Sequence, residues 1–287
     1  MFHPPGDTGA RAHGRPWYAF GIAVPIGVLG GLIGLGGAEF RLPVLAGPLG
    51  YVARRAVALN VAISLVTVLA ALAIRGRTLT FAPIIPLVLP MGAMIAGALV
   101  TAFVGTGLVG RLSNERLERV ILVFLVIIGS LLIIEGLLPA RIPALVPDEL
   151  VWRVGTGVLF GLVIGLVSSM LGVAGGELII PTLIFAYGAE IKVAGSASLL
   201  ISLPTVLMGV LHYLGQGAYQ ERRDLQETIA PMGAGSVVGA ITGGVLVGIV
   251  PSAILKIGLG IILIWSASRI FASGPPRAGF TGNRVSV

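Results

Sequence analysis

Two glutamates and an arginine lie in segments that are otherwise among the most apolar of the chain. Glu39 falls in IGLGGAEFRLPVL (33–45), Glu177 falls in LGVAGGELIIPTL (171–183), and Arg41 follows Glu39 by two residues. An ionised carboxylate in apolar surroundings is costly unless it is paired or hydrogen-bonded. The two acids suit proton transfer as a protonatable pair. The alternative is that each carboxylate satisfies backbone N–H groups at a break in a helix.

The elements that position these residues are transmembrane helices. Hydrophobic residues make up 56% of the chain and charged residues 11%, whereas soluble domains carry about 25% charged residues. Segments long enough to cross a bilayer of about 30 Å recur along the chain. They are predicted at 17–36, 53–74, 79–105, 117–138, 151–173, 190–214, 227–250 and 252–272. Backbone polar groups in lipid need internal partners, so the sequence predicts an all-α polytopic membrane protein in contact with the lipid bilayer.

Charge and composition exclude several other classes of function. The net charge of +7 comes from basic residues scattered over short loops, which indicates helix orientation rather than nucleic-acid binding. The absence of cysteine excludes thiol nucleophiles, disulfides and cysteine-ligated metals. All three aspartates lie in predicted tails or loops, and no metal-ligand cluster or dinucleotide fingerprint is present. We therefore predict no enzymatic activity, no catalytic residues, no cofactor and no metal.

The chain contains a duplication. Glu177 follows Glu39 by 138 positions, and the same offset matches ISLVTVL (63–69) with ISLPTVL (201–207). PMGA at 90–93 returns at 231–234 after a slip of three residues. The predicted organisation is an N-terminal tail (1–16), a first repeat (17–138), a linker (139–150), a second repeat (151–272) and a C-terminal tail (273–287), with four apolar segments in each repeat.

Each repeat opens with a helix broken by glycine and proline. Glycine is a poor residue for a helix interior, and Pro43 and Pro181 disfavour helical backbone at the residue before them. We expect the second arm of each break to begin at its proline. If the chain turns back at the break, loop arginines and lysines divide twelve to six between the two faces, against eleven to seven for simple spans. The positive-inside rule then favours hairpin-like breaks, inverted repeats and cytoplasmic termini.

Such paired breaks are the best sequence indication of a transporter's binding site. Half-helix N-termini near the membrane midplane attract anions, and two of them related by the repeat are expected to face one site. Arg41 has no counterpart, because the equivalent residue is Ile179. Three roles stay open for Arg41: binding the anion through its planar fork of donors, pairing with Glu177, or reaching a membrane surface.

Polar stripes on the next helix of each repeat extend the candidate site. Asn60, Ser64 and Thr67 share one helix face, and Ser198, Ser202 and Thr205 repeat them in register. Ordinary packing of small residues is the alternative explanation. The candidate substrate-binding residues are Gly34, Gly36, Gly37, Arg41, Pro43, Asn60, Ser64, Ser168, Ser169, Gly172, Gly175, Gly176, Pro181, Ser198 and Ser202, with Glu39 and Glu177 as proton-coupling or structural acids.

The segments GLGGAEFRLPVL (34–45) and GVAGGELIIPTL (172–183), each opening one half of a membrane protein of this length, resemble the G-x-G-G-x-x-x-x-x-P-x-L element of the TauE/SafE family, with Ala174 at one glycine position of the second copy. That family is also called the toluene-sulfonate uptake permease family. The resemblance covers the chain except its tails. One departure is Ala38 and Glu39, which stand where family members often carry a third glycine and an aliphatic residue.

The resemblance implies a secondary transporter of sulfite or organosulfonates in a bacterial cytoplasmic membrane, with a small anion as its substrate. The alternatives are a passive anion channel or a carrier for another small organic anion. The direction of transport, the coupling ion and the oligomeric state are not predicted by the sequence.

Overall fold

The computed structural model describes residues 16–108, 114–137, 143–171 and 175–272. Helices make up most of this part of the chain, and no strand occurs within it. The first half contains α1 (Pro16–Ile33), α2 (Ala38–Ala46), α3 (Ala53–Thr78), α4 (Val88–Leu108) and α5 (Asn114–Leu137). The second half contains α6 (Leu150–Leu171), α7 (Gly176–Tyr187), α8 (Ile191–Gly215), α9 (Arg222–Asp224), α10 (Ala230–Ile249) and α11 (Ser252–Ala272).

Length and composition confirm the predicted membrane class. Five segments of the described chain are long and apolar enough to cross a bilayer. They are Pro16–Ile33, Arg55–Thr78, Ala82–Thr101, Ile191–Gly215 and Arg222–Ile249. Four shorter apolar helices accompany them: Leu125–Leu137, Leu150–Leu166, Gly176–Tyr187 and Ser252–Trp265. The predicted span at 79–105 differs in detail, because a 3-10 turn at Ala82–Leu87 with internal prolines precedes α4.

The helices pack in pairs that join the two halves. The most extensive pairs are α1 with α10, α4 with α6, α5 with α11, α3 with α10 and α3 with α8, and α4 also packs against α8. By position in each repeat, α1 corresponds to α6, α3 to α8, α4 to α10 and α5 to α11. Exchanging the halves therefore maps this set of pairs onto itself, as expected for two similar units packed about an approximate two-fold axis.

Two equivalent pairs run in the same direction through close backbone contacts. A Cβ added at Gly27 or at Gly31 of α1 would lie 2.5 Å from the carbonyl oxygen of Ser236 or Ala240 of α10, respectively. In α6, a Cβ at Gly157 would lie 2.9 Å from the Pro90 carbonyl of α4, and Gly161 meets Met94 one turn further along both helices. Small residues at membrane interfaces allow helix backbones to approach this closely.

Contacts between three other helix pairs show in which direction α3, α8, α5 and α11 run relative to their neighbours. Thr78 near the end of α3 donates to the Gly244 carbonyl near the end of α10, at 3.0 Å, so α3 runs parallel to α10 and therefore to α1. Arg75 near the end of α3 reaches Ser196 near the start of α8, so these two helices are antiparallel. The α5–α11 pair is also antiparallel, since Gly129 meets Gly260 and Gly136 meets Ala253.

Both predicted breaks occur, but the helices resume before the prolines. α2 begins at Ala38 and α7 at Gly176, so Pro43 and Pro181 are each the sixth residue of a helix. The expectation that proline would open the second arm was wrong. The backbone instead turns at Gly37 and Gly175, whose φ angles of 76° and 74° lie in the left-handed region that glycine adopts readily.

Candidate functional site

The two breaks lie against each other and against α8. A Cβ at Gly176, the first residue of α7, would lie 2.9 Å from the Leu35 carbonyl oxygen in the first break. Gly34 meets the backbone of Gly195 in α8. Neither α2 nor α7 has a side-chain cap at its N-terminus. The positive ends of two half-helices are therefore brought together in the interior of the protein.

Arg41 is completely buried, and all five of its N–H donors have acceptors. Its Nε donates to Asn60 Oδ1 at 3.2 Å, and Nη1 donates to Thr67 Oγ1 at 3.0 Å and Ser236 Oγ at 3.3 Å. Its Nη2 donates to Ser64 Oγ at 2.7 Å and to a carbonyl oxygen of the break, that of Gly36, at 3.0 Å. Every one of these acceptors is a neutral oxygen.

This geometry argues against two of the three roles left open for Arg41, pairing with Glu177 and reaching a membrane surface. Its donors go to neither an exposed surface nor a carboxylate, since the polar stripe of α3 and the break occupy them. Asn60 completes the arrangement, because its Nδ2 donates to the Ala38 carbonyl at 3.0 Å. Arg41 thus ties the first break to α3 and, through Ser236, to the other half of the chain.

Arg75 is a second buried arginine, and sequence reasoning placed it among the loop arginines. Its Nε donates to the Gly31 carbonyl at 2.9 Å and Nη2 to the Leu32 carbonyl at 2.8 Å. Its Nη1 donates to Ser196 Oγ at 2.8 Å and to the Lys192 carbonyl at 3.2 Å. The last carbonyls of a helix lack partners within that helix, so Arg75 satisfies the end of α1 where the chain breaks. The sequence does show that Arg75 lies at the end of an apolar span with no acidic residue near it, and this pattern could have identified it as a buried arginine.

The two acids lie close together in the first turns of α2 and α7. Among the described residues, neither carboxylate oxygen of Glu39 has a hydrogen-bond partner, although both are buried. Glu39 lies within electrostatic range of Glu177 and of Arg41. Glu177 is itself 7% exposed. The structure therefore brings together the pair of carboxylates that the repeat predicted.

The polar stripe of the second half differs from that of the first. Ser198 is completely buried, and its hydroxyl has no partner within the described residues. The buried hydroxyl of Ser168 likewise has none there, and it lies directly against Gly175. Ser202 is buried and equivalent to Ser64, while Thr205 donates to its own helix at the Ser202 carbonyl, at 2.8 Å. The predicted site residue Gly172 and the side chain of Ser169 lie outside the described residues.

Two polar clusters lie at opposite ends of the helices, away from the breaks. Lys256 Nζ of α11 donates to Glu135 Oε1 of α5 at 2.6 Å, and both side chains are largely buried. Near the start of α3, Arg55 and Tyr51 both donate to Asp224, which precedes α10. Burial raises the pKa of Tyr51, which keeps its phenol a neutral donor.

The chain matches the family model described as "Sulfite exporter TauE/SafE" over residues 1–132 and 157–286. The match takes in both breaks and both polar stripes. No match was found among curated proteins or among solved structures.

Proposed function

Since the chain belongs to the TauE/SafE sulfite exporter family, whose members are membrane transporters and not enzymes, we propose that it is a secondary transporter of sulfite or an organosulfonate. The anion is bound near the membrane midplane between the two broken helices. The observation that carries this proposal is the contact between the breaks, where Gly176 of α7 lies against Leu35. Free N–H groups and the helix dipole favour anions at such ends.

The helix directions support inverted repeats. α1 and α3 both run parallel to α10, so α2 returns the chain toward the side from which α1 started. α4 follows α3 and crosses back, and α6 runs parallel to α4. α8 is antiparallel to α3, and α11 is antiparallel to α5. Each segment of the second half then runs opposite to its counterpart, as in transporters that alternate access around a central site.

The paired acids support coupling to protons. An ionised carboxylate only accepts hydrogen bonds and repels an anion, whereas a protonated one donates a hydrogen bond. Glu39 lies at the break with no partner for its oxygens among the described residues, so it is placed to carry a proton with each anion. The membrane proposed is the bacterial cytoplasmic membrane, with both termini on the cytoplasmic side.

The test uses purified protein in proteoliposomes, with sulfite as the probe. We expect a proton gradient to drive saturable sulfite accumulation by the wild type, with counterflow. Glu39→Gln and Glu177→Gln should lose the gradient-driven flux and retain sulfite–sulfite exchange, which needs no net proton movement. Glu227→Gln, which changes an exposed carboxylate paired with Arg223, is the matched control and should behave as the wild type.

Three other results of this experiment would each support a different conclusion about transport. Gradient-driven flux that survives in both glutamine variants would contradict proton coupling. Flux without saturation or counterflow would indicate a passive anion channel. Accumulation of small carboxylates but not of sulfite or methanesulfonate would indicate a carrier for another class of organic anion.

A further inference from the structure

We infer that the two halves of the duplicated site have different roles: the first break is a fixed scaffold, and the N-terminus of α7 holds the anion, with Ser168 and Ser198 as its hydroxyl donors. This assignment rests on the proposed transport of an anion and adds which half of the duplicated site binds it.

The first break is held from both sides. Arg41 uses all five N–H donors to join the break, α3 and Ser236 of α10. Arg75 joins the last carbonyls of α1, those of Gly31 and Leu32, to α8. An anion bound to the Arg41 guanidinium has to displace hydrogen bonds that are already made and buried, each of which costs free energy to lose.

The second half has no equivalent of either arginine. The 138-residue offset places Ile179 where the first half has Arg41, and Tyr213 where it has Arg75. Ile179 is 1% exposed and contributes no donor. The polar stripe of α8 therefore has no guanidinium to bind, although the chain has kept polar residues at all three positions of that stripe.

Two hydroxyls of the second half, those of Ser198 and Ser168, remain without partners among the described residues. Ser198 takes the place of Asn60, whose side chain in the first half reaches the first residue of α2. Ser168 Oγ lies against Gly175, immediately before α7. Buried hydroxyls normally have a hydrogen-bond partner, and both lack one among the described residues. A ligand with oxygen acceptors would satisfy both of them.

The chemistry of the ligand follows from what surrounds these hydroxyls. In the first half the stripe accepts hydrogen bonds from a cation, whereas the Ser198 and Ser168 hydroxyls of the second half have no partner among the described residues and can donate to a ligand. α7 has twelve residues and no side-chain cap, so its N-terminus adds backbone donors and a positive dipole. Hydroxyl and amide donors together fit a small oxyanion such as sulfite or a sulfonate group.

Cysteine labelling tests the assignment without depending on transport. The natural chain has no cysteine, so each single variant carries one thiol. We expect Ser198→Cys and Ser168→Cys in proteoliposomes to react with 2-sulfonatoethyl methanethiosulfonate, an anionic sulfonate reagent. Methanesulfonate should slow that reaction at least about fivefold. Ser64→Cys, in the stripe filled by Arg41, should react at least about tenfold more slowly.

The outcomes are distinct even if one variant does not fold. Ser236→Cys replaces Ser64→Cys where needed, since Ser236 makes the longest of the Arg41 contacts, at 3.3 Å. Equal reactivity of a thiol beside Arg41 and of a thiol at position 198 or 168, faster reaction beside Arg41, or no reaction at Ser198→Cys and Ser168→Cys would each overturn the assignment. Methanesulfonate that protects only the thiol beside Arg41 would place the anion at the first break.

A transport measurement adds an independent readout. Removing one hydroxyl donor to a charged ligand typically loses about tenfold or more in affinity. Ser198→Ala should therefore raise the half-saturating sulfite concentration by about tenfold, while Ser130→Ala, whose hydroxyl bonds its own helix in α5, should not. An unchanged value for Ser198→Ala would contradict the assignment. A wild type that transports no sulfur anion would contradict the proposed function and leave the labelling result to stand on its own.

Discussion

Replacing Arg41 with lysine measures the scaffold role of its guanidinium directly. Arg41→Lys keeps the positive charge and most of the aliphatic stem, so the cost of burying a cation stays similar. Lysine has three donors where arginine has five. At least two of the five acceptors around Arg41 therefore lose their donor. Each buried polar group left unsatisfied costs about 1–3 kcal/mol, which gives about 2–6 kcal/mol in total.

For Arg41→Lys we expect a loss of unfolding free energy in the lower half of that range. Three of the five acceptors are hydroxyls, and a hydroxyl that loses Arg41 can turn to a carbonyl of its own helix, as Thr67 already does toward Ile63 at 2.8 Å. The Gly36 carbonyl and Asn60 Oδ1 have less freedom to find another donor. Arg75→Lys is the matched control, because Arg75 has four acceptors and lysine leaves one of them without a donor. Its cost should be about 1–3 kcal/mol.

Equilibrium unfolding in mixed micelles, by titration with sodium dodecyl sulfate, gives the free energy of unfolding of each variant. We expect the order wild type, Arg75→Lys, Arg41→Lys, from most to least stable. Sulfite affinity of the folded Arg41→Lys protein should stay within about threefold of the wild type. An unfolding free energy within about 0.5 kcal/mol of the wild type, together with a tenfold loss of affinity, would refute the scaffold role and show that the guanidinium binds the anion.

Two further predictions concern topology and a buried ion pair. Tags inserted after Gly76 and after Gln220 should report opposite sides of the membrane if the repeats are inverted; protease protection in oriented vesicles is the measurement, and protection on the same side would contradict that topology. Glu135→Leu or Lys256→Met alone should cost about 3–5 kcal/mol of unfolding free energy, because each leaves one buried charge of the 2.6 Å pair without its partner, and the double variant should recover most of that loss. Additive losses in the double variant would mean that the two charges do not stabilise each other.

The duplication made the positions of the breaks predictable from sequence. A constant offset carries the glycines, the acids and the polar stripes together, and the breaks are found between α1 and α2 and between α6 and α7. The helical restart was not predicted correctly, because proline was expected at the first helical position. Gly37 and Gly175 end the breaks instead, and a helix that has already started tolerates Pro43 and Pro181 at its sixth residue.

The same duplication suggested that the two halves of the site are alike, although the buried arginines of the described chain are both in the first half. Arg41 was noted as unmatched, and the stripe at Asn60, Ser64 and Thr67 was predicted to line an anion path. The structure shows that the stripe and the arginine are partners of each other. The role of Arg75 was not predicted from the sequence, because it depends on where α1 ends. Helical periodicity alone does not say which side chain of α3 reaches that end.

The charges at the breaks constrain how an anion enters the site. Arg41 and Arg75 have side chains that bond the backbone at the first break or at the end of α1 just before it, and Glu39 and Glu177 lie in the first turns of α2 and α7. With all four ionised their sum is zero, and a monovalent anion adds an unbalanced negative charge in a region of low dielectric, where such charge is costly. A proton on either glutamate restores neutrality and changes an acceptor into a donor. Arg41 uses all five of its N–H donors and Arg75 uses four, and arginine does not lose its proton in proteins, so the acids are the groups left to compensate for the anion. Glu39→Gln supplies that neutrality permanently. It should therefore bind methanesulfonate, which stays monovalent near neutral pH, at least as tightly as the wild type while losing the pH dependence of binding. Weaker binding by Glu39→Gln, with the pH dependence retained, would show that the compensating proton is carried elsewhere.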